Sequence, residues 1–90
     1  MKYLLFYEPG GAEMPALARE HYPAHAARWV TFREAGTLLA IGPYGDGSGA
    51  LAIFTTKDAA EEFAREDPFV LRGVVAGWSI KEWNEALLPG

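Results

Sequence analysis

Glycine and proline punctuate this chain, and their placement constrains the fold more than any other feature of the sequence. Pro9-Gly10-Gly11 closes a first apolar run, Lys2 to Glu8, rich in Tyr and Phe and read as a strand. From Pro15 to Ala35 the chain changes to helix formers, Ala above all. Pro15 suits a first helical position. Pro23 does not, because inside a helix it removes a backbone bond and clashes with the preceding turn. The expectation is a short helical turn, a kink, and a main helix from about Pro23 to Ala35, stopped by Gly36. Thr37 to Ile41 reads as a second strand ended by Gly42-Pro43, the stretch Tyr44 to Gly49 as a turn, and Ala50 to Thr55 as a third strand. Thr55-Thr56-Lys57-Asp58, with a hydroxyl cap and an early acid, opens a second helix through about Glu66. Asp67-Pro68 interrupts it, Phe69 to Arg72 add a turn, Gly73 breaks, and Val74 to Trp83 forms the last strand before a tail from Asn84 to Gly90.

Two strand–helix–strand units, dividing near residue 46, imply a four-stranded antiparallel sheet with two helices on one face. This is a ferredoxin-like βαββαβ architecture of the α+β class. Ninety residues suffice for one such domain, residues 1–90, and a second core would leave each half at the edge of independent folding. Half the residues are hydrophobic, which excludes a disordered chain. Tyr3 to Tyr7, the longest apolar stretch near the start, is too short for a signal-peptide core or a membrane span. A net charge of −4 excludes a basic nucleic-acid footprint. The absence of Cys excludes disulfides, thiolate metal sites and a thiol nucleophile. A cytoplasmic protein with a small-molecule ligand, no nucleic acid and no membrane is expected.

At 100° per residue, His25, Trp29 and Phe32 fall on one stripe of the main helix, the stripe that faces the sheet. Glu34 points to the opposite side and is a surface residue, so the nearby His25–Glu34 pair fails on geometry. Topology supplies a better partner. In this fold the first helix begins at the end of the sheet where the first strand stops, and the second helix returns to that end. His25 is thereby brought toward Asp67, with Tyr7, Glu8 and Gly42-Pro43-Tyr44 at the same end. A carboxylate there would orient the imidazole, set its tautomer and make the other nitrogen a better base. A hydrogen-bonded core His and an Asp that merely caps a turn are the plainer readings. His21, one turn before His25, suggests a metal pair, but Pro23 disturbs the register and no third ligand is evident, so no metal is assigned. The glycines of Tyr44 to Gly49 join two strands and form no phosphate loop. Arg28 flanks the His25 stripe and is a candidate anion ligand at the pocket edge, or else a solvated side chain. Trp29, Trp78 and Phe63 are core candidates first.

Two segments carry a family resemblance. Pro23-Ala24-His25-Ala26-Ala27-Arg28 followed by Glu34 to Pro43, and Glu66-Asp67-Pro68-Phe69-Val70 followed by Gly73-Val74-Val75, resemble the YciI-like (YCII-related) domains over nearly the whole chain. The resemblance implies a ferredoxin-like fold of the dimeric α+β barrel kind, with an active site pairing the helix His with a carboxylate. By motif these are His25 and Asp67. Some relatives act as dehydrochlorinases on chlorinated hydroxyhydroquinones, and the fold is similar to that of muconolactone isomerases. The chain departs from the pattern in a shorter Tyr44–Gly49 loop, which would open the pocket or remove substrate contacts. It departs again at Pro9, where some relatives carry an acid.

The expectation is an enzyme of proton transfer, isomerisation or elimination on a cyclic or aromatic compound, with His25 as base or acid and Asp67 orienting it. Tyr7 or Tyr44 would position a hydroxyl or oxyanion, Arg28 would sit at the pocket edge, and Trp29 would stack on the ring. No cofactor is needed, and no heme is expected although some monooxygenases share the architecture. The competing reading is a non-catalytic dimeric module that senses a metabolite. Alternation in the last strand sets Val75, Gly77, Ser79, Lys81 and Trp83 against Val74, Ala76, Trp78 and Ile80. Apolar residues on both sides point to a homodimer packed through the sheet.

Overall fold

Alternation along β1 (Lys2–Pro9) buries Leu5 and Tyr7 on one side while Leu4 and Phe6 stay half-buried on the other. That difference fixes which face of the sheet the helices cover. The computed structural model describes residues 1–87, so the end of the tail, 88–90, lies outside the described residues. After β1 come α1 (Met14–Glu34), β2 (Leu38–Pro43), β3 (Ala50–Phe54), α2 (Lys57–Glu66), the single-turn α3 (Pro68–Leu71) and β4 (Val75–Trp83). The strands form one antiparallel sheet in the order β2-β3-β1-β4. Leu5, Ala52 and Phe54 from the sheet pack against Ala60, Phe63 and Ala64 of α2, all buried. Phe32 of α1 meets Phe63 edge-on at 5.2 Å between ring centres, which locks the two helices over the sheet. Among the described residues no helix is long and apolar enough to cross a membrane.

The helix ends follow their local signals. Gly36 adopts φ 82°, a left-handed conformation that costs a residue with a Cβ. Its N–H donates to the Arg33 carbonyl, and the Thr37 N–H donates to the Phe32 carbonyl at 3.1 Å, satisfying carbonyls that the helix leaves open. Thr56 caps α2, its hydroxyl accepting from the Ala59 N–H at 3.1 Å.

Three expectations are corrected. Pro23 does not divide the first helix: α1 runs unbroken from Met14 to Glu34 with Pro23 inside it. An internal proline costs about 3 kcal/mol, but most helix stability in a protein comes from packing one face. Here Ala18, Tyr22, His25 and Trp29, on both sides of the proline, share a single face toward the sheet. Second, β2 extends through Gly42-Pro43, because Pro43 pairs with Ala50 at the end of the sheet. Third, the alternation along β4 is broken. Glu8 pairs with Gly77 but Pro9 with Val75, so Ala76 is an extra residue and Val75 turns to the core side with Trp78 and Ile80.

Candidate active site

The topology delivers the Asp67 carboxylate to the imidazole of His25 across 42 positions of sequence. His25 rises from the middle of α1 and is 7% exposed, while Asp67, between α2 and α3, is fully enclosed. His25 Nδ1 lies 2.8 Å from Asp67 Oδ1 and 3.0 Å from Oδ2. The Tyr7 hydroxyl of β1 donates to Oδ2 at 2.5 Å, and the Phe69 N–H donates to Oδ1 at 3.1 Å. Asp67 therefore caps α3 with one oxygen while its side chain receives three donors. An ionised carboxylate only accepts, so an Nδ1 facing it carries the proton, and in a neutral ring Nε2 is left with its lone pair. Among the described residues Nε2 has no hydrogen-bond partner.

Local sequence explains how Asp67 is held. Pro68 cannot continue α2 through its own nitrogen, so the chain turns at Asp67, whose backbone is extended. Pro68 then starts α3, and the next free N–H, that of Phe69, returns to the carboxylate. The same turn lays the Phe69 ring flat on the imidazole, 3.9 Å between centres at an interplanar angle of 6°. Phe63 approaches edge-on at 6.0 Å from the other helix. His25 is thus fixed in its plane by rings and in its tautomer by a carboxylate.

In front of the imidazole is a cavity of about 420 Å³ between α1 and the β1–β3–β2 part of the sheet. Its walls include Tyr7, Tyr22, His25, Trp29 and Phe69, and its floor is Leu5, Ile41, Pro43, Ala50 and Ala52. The lining contains no Lys, Arg, Asp or Glu. Burial first, then the charge of Asp67 and its hydrogen bond, push the Tyr7 phenol far above the ordinary tyrosine range. Tyr7 is consequently held as the neutral phenol that donates to Asp67.

Of the residues singled out in the sequence, His25, Asp67 and Tyr7 meet, and Trp29 lines the cavity beside them. Tyr7 reaches the site in another capacity than expected, since its hydroxyl is engaged by Asp67. Arg28 stands apart from the cavity. Its guanidinium donates to the carbonyls of Glu62 and Phe63 at 3.2 and 3.3 Å, at the end of α2, and lies 5.3 Å from the Phe32 ring centre. A helix C-terminus with open carbonyls attracts a cation more than a solvated position does. Tyr44 is also apart, with Ala40, Leu51 and Ile53 along a shallow depression on the far side of the sheet. His21 turns to Glu20 at 3.3 Å, and among the described residues no three His, Asp or Glu gather as metal ligands. Phe69 enters the sequence argument only as part of the Asp67-Pro68-Phe69 turn, with no role at the site, and Tyr22 carries no signal at all.

A fold of this geometry is known in other proteins. The 5-chloro-2-hydroxyhydroquinone dehydrochlorinase TftG of Burkholderia phenoliruptrix AC1100, solved in complex with 2,5-dihydroxybenzoquinone, superposes with a TM-score of 0.78 over 96% of both chains at 20% sequence identity. Among curated proteins no match is found. The sequence profile of the YCII-related domain matches residues 1–84. With nearly its whole length matched, from β1 through the end of β4, the chain belongs to the YCII-related domain family.

Proposed function

We propose that this protein is a small-molecule enzyme that moves a proton on a cyclic or aromatic substrate, in an isomerisation or an elimination such as dehydrochlorination. The observation that carries the reading is the orientation of His25: Nδ1 is tied to an enclosed carboxylate while the ring borders an apolar cavity. Nε2 takes a proton from the substrate, and the imidazolium so formed is stabilised by Asp67. In an isomerisation Nε2 returns that proton to another atom of the substrate. In an elimination the electron pair left behind expels the leaving group, here chloride. Asp67 positions the ring, and Tyr7 positions Asp67. The fold likeness to a dehydrochlorinase supports the choice of reaction class.

Deuterium uptake tests this without knowledge of the natural substrate. Cyclic enones and chlorinated hydroquinones incubated in heavy water are expected to exchange an acidified C–H or release chloride faster with enzyme than without. His25→Ala is expected to lower the rate by about 10²–10⁴-fold. His25→Gln, which keeps a donor for Asp67, guards against loss of folding. Exchange that persists at the wild-type rate in both variants would defeat the assignment. The capping of α3 by Asp67 is one observation that favours the alternative, a metabolite-binding module in which the carboxylate serves structure alone.

The working unit in this proposal is a homodimer. Leu4, Phe6, Leu51 and Ile53 lie on the sheet face opposite the helices, apolar and only half-buried. A second copy packed there would remove that surface from water. Light scattering at micromolar concentration is expected to give twice the chain mass, and a strictly monomeric mass would overturn it.

A further inference from the structure

The cavity has dimensions that a small reacting group leaves unused. Two rungs of the sheet form its floor: Leu5, Ala52 and Ile41 lie side by side on one, Tyr7, Ala50 and Pro43 on the next. On both rungs β3 contributes alanine, so a hollow stands where larger side chains would meet the helix. The α1 wall runs from Ala18 through Tyr22 and His25 to Trp29. These eleven helical steps span about 16 Å at the usual rise. An apolar hollow of roughly 150 Å³ holds benzene, and this one, at about 420 Å³, is nearly three times larger.

Its polar groups are few and mostly committed. Asp67 is enclosed, and its oxygens receive Tyr7, His25 and Phe69. The Arg28 guanidinium is held by the end of α2. No Lys or Arg lines the hollow, so a carboxylate entering it loses its water and meets no cation beyond an imidazole already paired with Asp67.

We propose that the cavity selects an uncharged hydroxyaromatic of two fused rings, its hydroxyl at His25 and its second ring over Ala52 beside Trp29, and rejects the carboxylated analogue. The assignment rests on the reading of this cavity as the substrate site. Nitrogen-15 NMR titrations at neutral pH with phenol, 2-naphthol and 2-naphthoate test it. 2-Naphthol is expected to bind at least about tenfold more tightly than phenol, through the added apolar area, and at least about tenfold more tightly than 2-naphthoate. The Trp29 indole N–H signal should move with 2-naphthol. Ala52→Leu fills the floor and is expected to erase the advantage of 2-naphthol while leaving phenol within about threefold. Ala52→Val is the smaller step if the leucine variant loses its dispersed spectrum.

Phenol binding as tightly as 2-naphthol, 2-naphthoate binding as tightly as 2-naphthol, or an unmoved Trp29 signal would each overturn the proposal. None of these measurements needs turnover. A two-ring preference without His25-dependent exchange defeats the catalytic reading and leaves the ligand class standing. Exchange that needs His25 together with a preference for phenol defeats the ligand class alone.

Discussion

Replacing Tyr7 by Phe removes one oxygen atom and measures how the enclosed carboxylate is held. Tyr7 is 6% exposed and Asp67 fully enclosed, so water does not substitute for the lost hydroxyl. In the variant Oδ2 keeps only its 3.0 Å contact with His25 Nδ1, and Oδ1 keeps its contacts at 2.8 Å with Nδ1 and 3.1 Å with the Phe69 N–H. One of three donors to a charged acceptor is gone, while the ring and its packing remain. Hydrogen bonds to charged groups contribute about 1.5–3 kcal/mol each, so a loss of about 2 kcal/mol is expected at neutral pH. At roughly 4–8 °C per kcal/mol for a domain of this size, the Tm falls by about 8–16 °C. Alkaline pH then changes the comparison in a direction that can be worked out. Burial and the neighbouring carboxylate keep the phenol protonated in the folded state, whereas the unfolded tyrosine ionises near pH ~10. Above that pH the unfolded state has lost a proton that the native state keeps, so wild-type stability falls by up to about 1.4 kcal/mol per pH unit. Tyr7→Phe has no such group. Its deficit against wild type is therefore expected to narrow to under about 1 kcal/mol by pH ~11. Urea denaturation followed by circular dichroism at neutral and alkaline pH reads both quantities. A variant as stable as wild type at neutral pH, or a deficit that stays constant as pH rises, would refute the reasoning.

Two further substitutions separate the roles of neighbouring residues. Asp67→Asn can offer Nδ1 either an amide N–H or a carbonyl, so nitrogen-15 shifts of His25 are expected to change from the single Nδ1–H tautomer to a mixture. Activity is expected to fall by about 10²-fold or more, since a base in the wrong tautomer cannot accept the proton. Arg28→Met removes the donors to the Glu62 and Phe63 carbonyls while retaining an apolar stem. It is expected to lower stability by about 1 kcal/mol in chemical denaturation and to leave 2-naphthol affinity unchanged. Weakened binding in that variant would return Arg28 to the pocket.

Much of this protein is legible in the sequence because the relevant forces act between near neighbours. Gly36 ends α1 and Thr56 caps α2 through bonds spanning a few residues. The spacing of His25, Trp29 and Phe32 sets all three inward because helical geometry repeats every turn. Connectivity brings the end of α2 back toward α1, but His25 stands in the middle of that helix, so packing decided which of its turns meets Asp67. Other features had no local signature. Pro23 is a helix breaker by every local rule, and only a shared packing face on both sides of it keeps α1 whole. Arg28 lies one position from the His25 stripe, and its choice between the cavity and the α2 carbonyls depended on what stood within reach of a long side chain. The Tyr7 hydroxyl found a carboxylate 60 positions away, and two alanines of β3 became a cavity only when a helix crossed above them. Sequence by itself determined the order of strands and helices and those ends that carry a local stop or cap, such as Gly36 and Thr56, because periodicity and chain breaks are local. Tertiary structure alone decided which polar atoms pair and where space is left empty, because both depend on distances between elements that no stretch of sequence contains.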